Sequence, residues 1–375
     1  MRISDLFLCS LLVATPGYAF VIQTFESPSR RPVQQTWSHA DRISYVLHAT
    51  GSDDLSPAQT HKLIRQSFQV WENVASSQVR FIDQGETKTR VPSQRDQRNL
   101  VYFDETGSYL NAPQGTGVIA LTRINSNSFT GEIIDADIIF NGRDFRFASA
   151  ADNAPSSGNR VDLKDVAIHE IGHLLGLEHT PLDGSAQTRP TMNPFNRGDG
   201  PGEGQSLEAD DIAGISHLYP TPGYLAKVGS ISGQVRDLDE KPLFGAHIKA
   251  ENLDTGERFS TISGAEPDTR NKGYYQLPGL TPGRYRLSLS PIEGAINEEN
   301  FGGIFTDFAT GFPVEFYDNA RTPSYAQLLT VAPNQNIGDI DFVTDFVAPG
   351  FPIVLPVQLA TNTPDTEGPY SVRIA

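Results

Sequence analysis

Residues 169–179 read HEIGHLLGLEH, three histidines and two glutamates in a stretch that also holds two glycines. His169 and His173 are four apart, so on a helix both rings leave the same face and can bind one ion together. Zinc takes imidazole nitrogen and prefers four-coordinate tetrahedral geometry. A third ligand from the next turn of a straight helix would meet the ion with poor geometry. Gly176 removes that difficulty, because glycine can adopt positive φ and turn the chain back, which swings His179 in beneath the ion. Three histidines leave a fourth position for water, the mark of a catalytic rather than a structural site. Glu170 sits beside His169 and faces that position. It can take a proton from the zinc-bound water, whose pKa the metal lowers, and pass it to a leaving amine. The chemistry would be amide hydrolysis without a covalent intermediate. HExxH alone is a modest signal; the added glycine and third histidine at fixed spacing make it specific. His39, His48, His61, His217 and His247 have no partners at ligand spacing and read as ordinary surface or core histidines.

A scaffold must hold these groups. The pattern predicts a helix over 162–175, with Asp162 as cap, Asp165 in the first turn, an apolar stripe of Leu163, Val166, Ala167, Ile171, Leu174 and Leu175, and Gly176 as its end. Upstream, ISYVLHA (43–49) alternates as a strand does. Ser56 followed by Pro57 opens a helix running to Val74. Four strand-like runs follow at 79–83, 100–105, 117–124 and 132–140. The last, EIIDADIIF, alternates Ile and Asp, as expected of one buried and one solvated face. Residues 142–160 read as a polar loop, and Ser206 as the cap of a final helix stopped by Pro220.

The chain has 375 residues, which favours two domains over one core. Its 33 Gly and 26 Pro, about a sixth of the residues, point to many turns and a β-rich architecture. The net charge of −16 argues against nucleic acid, whose affinity rests on Lys/Arg contacts to phosphate, and against anionic membranes. Residues 1–19 look like a secretory signal: Arg2, an apolar core from Leu6 to Ala14, and small Gly17 and Ala19 ahead of a cut after Ala19. That apolar run is too short to span a bilayer, and no later segment approaches transmembrane length. The expected protein is a secreted monomer, extracellular or periplasmic. Cys9, the sole cysteine, falls inside the signal, so the mature chain would have neither disulfides nor thiolate ligands.

RPTMNPF (189–195) follows the third histidine. HEIGHLLGLEH plus Met192 resembles the metzincin metallopeptidases, whose Met-turn lies under the zinc ligands. Within them the resemblance is to the matrixins, the matrix-metalloproteinase-like branch: Thr180 follows the third histidine, LEADDIAGISHLYP (207–220) is similar to their closing helix, and HADRISYVLHA with FQVWENV to their opening. The resemblance covers about 36–222 and implies an α+β domain, a twisted mixed sheet with three helices. It further implies that the edge strand in GVIALTRI (117–124) receives a protein or peptide substrate as an added β-strand, a role falling on Ile119 and Ala120. Pro194, Phe195 and Asn196 would wall the pocket for the residue after the cleaved bond. The departures also inform. Leu121 and Ala136-Asp137 stand where vertebrate matrixins place histidines of a second zinc, so one zinc is expected. Asp135, Asp137 and Asn141 offer oxygens for calcium, against the plainer reading of a solvated strand face. Only residues 20–35 lie between the signal and the catalytic domain, with no cysteine-switch segment, so thiol-based latency is excluded. Pro194 stands where an astacin-type tyrosine would be.

Beyond TPGYLAKVGS no helical period appears. GSISGQVRDLDEKPLFGAHIKAENLDTGE and GYYQLPGLTPGRYRLSLS resemble the carboxypeptidase regulatory-like domain, a small transthyretin-like all-β antiparallel sandwich, here 228–345. That pattern speaks for a fold and a role as spacer, stabiliser or binding module, not for chemistry. Residues 346–375 could be a strand, a linker or a tail. The reading is a zinc endopeptidase with an accessory sandwich. The alternatives are a binding or adhesion protein with a vestigial peptidase domain, and a zinc amidase acting on cell-wall peptides.

Overall fold

The computed structural model describes residues 20–28, 32–93, 96–150, 160–185, 188–195, 204–265, 272–302 and 305–345. The signal-like residues 1–19, with Cys9, and the segment 346–375 lie outside them. A hairpin of β1 (Thr24–Glu26) and β2 (Pro32–Gln34) leads into β3 (Ile43–His48), α1 (Pro57–Glu72), β4 (Phe81–Thr87), β5 (Asn99–Phe103), β6 (Ala120–Ser126) and β7 (Ile133–Phe140). Then come β8 (Arg146–Ala148), β9 (Arg160–Asp162), α2 (Leu163–Leu174) and α3 (Ala209–Leu218). The main sheet has the order β4-β3-β5-β7-β6. β3, β4, β5 and β7 run parallel, and β6 joins antiparallel to β7 at the edge. This five-stranded sheet with three helices is the mixed sheet that the resemblance implies.

Local chemistry sets the helices. Ser56 Oγ accepts from the Gln59 N–H and Pro57 occupies the first helical position of α1; Asp162 Oδ1 accepts from the Lys164 N–H at 2.9 Å to start α2. α1 packs on α2 through Trp71, which is 0% exposed and donates Nε1–H to the Ile168 carbonyl at 2.9 Å. α3 departs from the expectation. It starts at Ala209 with Glu208 as cap, because Glu208 and Asp211 form a reciprocal capping box, while Ser206 hydrogen-bonds Glu208 instead. The 142–160 segment is not all loop: β8 and β9 pair in parallel.

β7 also differs from the expectation. Asp135 and Asp137 are 0% and 1% exposed, not solvated. β7 lies between β5 and β6, and Asp137 accepts from the N–H groups of Leu100 (2.9 Å) and Ser93 (2.6 Å). The chain ahead of β5 therefore covers the face that the alternation assigned to water. Burial pushes Asp137 up to about 7 despite those bonds.

From Gly229 the chain is all β: β10 (Gly229–Asp237), β11 (His247–Asn252), β12 (Arg258–Ile262), β13 (Tyr274–Leu280), β14 (Gly283–Ser290), β15 (Glu315–Phe316), β16 (Leu329–Val331), β17 (Asn336–Ile337) and β18 (Phe342–Thr344). One sheet has the order β12-β11-β14-β15, with β16 also on β14; the other has β13-β10-β17, with β18 also on β10. Pairing is antiparallel except that β17 and β18 run parallel to β10, which the long connection after β14 permits. Alternate residues such as Ile231, Val235, Ile248, Leu277, Leu287 and Leu289 are buried between the sheets. The two halves share one apolar core. α3 packs on β12 and β13, Ser260 N–H donates to the buried Asp210 carboxylate at 2.8 Å, and Arg258 donates to the carbonyls of Asp183 (2.7 Å) and Thr188. Among the described residues no helix is long and apolar enough to cross a membrane.

Because Trp71 fills the α1–α2 seam directly under the histidine-bearing turn, Trp71→Ala should cost about 3–5 kcal/mol. Denaturant unfolding followed by far-UV circular dichroism checks this; a loss below about 1 kcal/mol would contradict the packing described.

Candidate metal centre and active site

α2 carries His169, Glu170 and His173 on adjoining turns. It ends in a Schellman motif: Gly176 N–H donates to the His173 carbonyl (2.9 Å) and Leu177 N–H to the Gly172 carbonyl (3.0 Å), with Gly176 at φ +95°. A Cβ at Gly176 would stand 2.3 Å from the Gln35 carbonyl oxygen, so both conformation and space demand glycine. The reversed chain returns His179 to the first two histidines. The Nε2 atoms of His169 and His179 are 3.1 Å apart, as are those of His173 and His179.

The other ring nitrogens fix the protonation. His169 Nδ1 meets the Thr191 carbonyl at 2.7 Å, His173 Nδ1 the Leu177 carbonyl at 2.8 Å, and His179 Nδ1 the Asn300 carbonyl. A carbonyl can only accept, so each Nδ1 carries the hydrogen and each Nε2 presents a lone pair. Three lone pairs aimed at one point repel unless a cation lies between them. Tetrahedral zinc with nitrogen at about 2.0–2.1 Å needs nitrogens roughly 3.3 Å apart; the ligand atoms here lie within 4.8 Å of one another. The residues fit a zinc ion. Burial, with the His179 imidazole, holds His169 down to about 3; burial takes His179 to about 4. The rings are neutral, as ligation requires.

Glu170 is buried and borders the same cleft, of about 600 Å³. Its Oε2 accepts from Thr122 Oγ1 at 2.6 Å. Burial pushes its carboxyl up to about 7, and the Thr122 bond opposes that. Met192, 3% exposed, packs beneath the turn: a Cβ on Gly172 would lie 2.2 Å from its sulfur. The Met192 carbonyl accepts from Thr180 N–H at 3.0 Å. Asp211 clamps this loop from α3, accepting from the N–H groups of Thr191 (2.8 Å) and Met192 (3.1 Å).

Ile119, Ala120, Pro194 and Phe195 all line the cleft, while Asn196 lies outside the described residues. The edge strand β6 begins at Ala120, later than the apolar pattern implies, because Gly117 takes φ +82° and the Val118 carbonyl is held by Asn141 Nδ2 at 2.7 Å. Asn141 thus supports the rim. Its Oδ1 accepts from the Asp144 N–H at 3.0 Å, and both Asp137 oxygens accept backbone N–H groups, so the oxygens offered for calcium at these two residues are already engaged. Sequence reasoning missed Thr122, Asp211, Glu178 and Asn300. Thr122 sits two residues after Ala120 and so on its face, a signal that was there to use; the others carried no local pattern.

A sheet edge beside a cleft, three convergent imidazoles and a buried carboxylate define a metal-dependent peptidase domain. Residues 36–220 match the model of the matrixin peptidases, and 230–298 that of the carboxypeptidase regulatory-like domain. This chain is a matrixin peptidase domain, of the zinc metalloendopeptidase family, followed by a carboxypeptidase regulatory-like domain. It is 42% identical over 176 residues to stromelysin-3 of Xenopus laevis, covering 43% of this chain and 34% of that protein. It is 27% identical over 190 residues to metalloendoproteinase 1-MMP of Arabidopsis thaliana, covering 48% and 44%, and 33% identical over 98 residues to karilysin of Tannerella forsythia, covering 26% and 19%. The matches span less than half the length of these relatives.

Gly176→Ala forces a side chain into left-handed backbone against the Gln35 carbonyl. It should cost more than about 1 kcal/mol and leave the purified protein with markedly less zinc. Thermal melting and metal analysis check both; unchanged metal content would contradict the role given to this turn.

Proposed function

We propose that the chain is a secreted zinc-dependent endopeptidase with protein or peptide substrates. One observation carries the reading: three imidazole lone pairs converge beside a buried carboxylate, on a cleft bordered by a sheet edge. A zinc ion bound there supplies Lewis acidity that polarises the scissile carbonyl and acidifies a water. His169, His173 and His179 would hold it through Nε2. Glu170 acts as the base: Thr122 occupies Oε2, so Oε1 takes the proton of the attacking water and later returns it to the leaving amine nitrogen. The outer edge of β6 offers backbone groups to an extended substrate, with Ile119 and Ala120 at the contact. Pro194 and Phe195 form the wall for the side chain beyond the cleaved bond. Secretion is supported by the signal-like residues 1–19.

Glu170→Gln keeps the shape of the site and removes the base. It should lower kcat by about 10²–10⁴-fold while zinc content stays at one per chain. Cleavage of an unfolded protein substrate, paired with metal analysis, tests this; a variant as active as wild type would overturn the assignment.

A further inference from the structure

The acceptor for His179 does not come from the peptidase domain. It is the carbonyl of Asn300, in the connection between β14 and β15 of the second domain. This stretch is built to stay in place. Glu298–Asn300 form a short 3-10 turn closed by a reciprocal box: Asn297 Oδ1 accepts from Glu299 N–H at 2.9 Å, and Asn300 Oδ1 accepts from Asn297 N–H at 2.9 Å. Glu298 then accepts from Phe308 N–H at 3.1 Å. Phe301, Phe305 and Phe308 form a separate apolar cluster with Val21, Ile262 and Ile292, which roots the turn in both halves of the molecule.

A second tie reaches the metal ligands. Glu178 is buried, and its two oxygens bridge the domains: Oε1 accepts from His179 N–H at 2.9 Å and Oε2 from Gly302 N–H at 3.3 Å. Phe301 stands with its ring centroid 6.5 Å from that of His179. Glu299, Asn300, Phe301 and Gly302 all line the same cleft as Ile119 and Glu170.

We propose that the Glu298–Gly302 segment of the second domain completes the peptidase site, with Asn300 positioning His179 through its carbonyl and Glu299 favouring substrates that bring a basic side chain to this wall. The inference rests on the zinc-peptidase reading above. Two consequences follow from the geometry. Outer-shell acceptors keep a ligating imidazole in the right tautomer and orientation, and losing one typically costs about 10–100-fold in metal affinity. An exposed carboxylate at the rim attracts a solvated cation by about 0.2–1 kcal/mol, roughly 1.4–5-fold in selection. The second domain is then a working part of the enzyme and not a spacer.

The test uses the full chain in three forms: wild type, Asn297→Ala/Asn300→Ala, which opens the capping box, and Glu299→Lys, which leaves the box intact. Zinc affinity is read by competition with a chromophoric chelator, and the visible spectrum of the cobalt-loaded protein reports ligand geometry. The double variant should bind zinc about 10-fold more weakly, with altered cobalt bands and a circular dichroism spectrum like wild type. On a peptide mixture, Glu299→Lys should shift cleavage away from basic residues by about 2–5-fold with wild-type zinc affinity. Should the double variant fail to fold, the Glu299→Lys profile alone decides. Wild-type zinc affinity and cobalt spectrum in the double variant, or faster cleavage by it, would overturn the inference. So would an unchanged cleavage profile for Glu299→Lys. A wild-type chain that takes up no zinc would sink the proposed function itself, and this with it.

Discussion

Three unprotonated imidazole nitrogens held within a few ångströms of one another repel, and that repulsion must be compensated. In this fold each ring gives its one hydrogen to a carbonyl behind it, so only lone pairs face the centre. A cation between them would turn that repulsion into attraction. The carbonyls come from three separate places: Thr191 in the Met192 loop, Leu177 in the turn after α2, and Asn300 in the second domain. The site is a point where three segments are brought to register by one electrostatic requirement.

The rest of the architecture serves that register. α2 fixes the spacing of His169 and His173, and the left-handed Gly176 returns His179. Gly172 lets the Met192 sulfur sit against the helix between the first two histidines. Asp211 holds the Met192 loop from α3 with two backbone N–H groups, and α3 in turn packs on β12 and β13. Trp71 locks α1 beneath α2. Glu170 is left facing the cleft, with Thr122 of the edge strand fixing one of its oxygens. The strand proposed to receive substrate thus also holds the carboxylate proposed as the base.

Much of this was legible in the sequence because it is local. The ligand histidines, Glu170 and Gly176 fall within eleven residues, and helical geometry with glycine's φ freedom suffices to fold them together. The capping of α1 and α2 was legible for the same reason. What escaped was non-local. Asn300 lies 121 residues from His179 and acts through a backbone carbonyl, which no residue type betrays. Asp211 is one of two adjacent acids in the closing helix, and only the tertiary fold makes it the clamp of the Met192 loop. The Asp–Ile alternation of β7 suggested a wet face because alternation cannot reveal that a neighbouring segment covers it. Ser206 lost the cap to Glu208 since a reciprocal pair with Asp211 satisfies two ends at once.

The most direct measurement is X-ray absorption fine structure at the zinc edge on the full chain loaded to saturation. One zinc per chain, with three imidazole nitrogens at about 2.0–2.1 Å and a single lighter ligand, is the expected result. Fewer than three imidazoles, or a second zinc with its own histidine shell, would contradict the convergence on which everything else here depends.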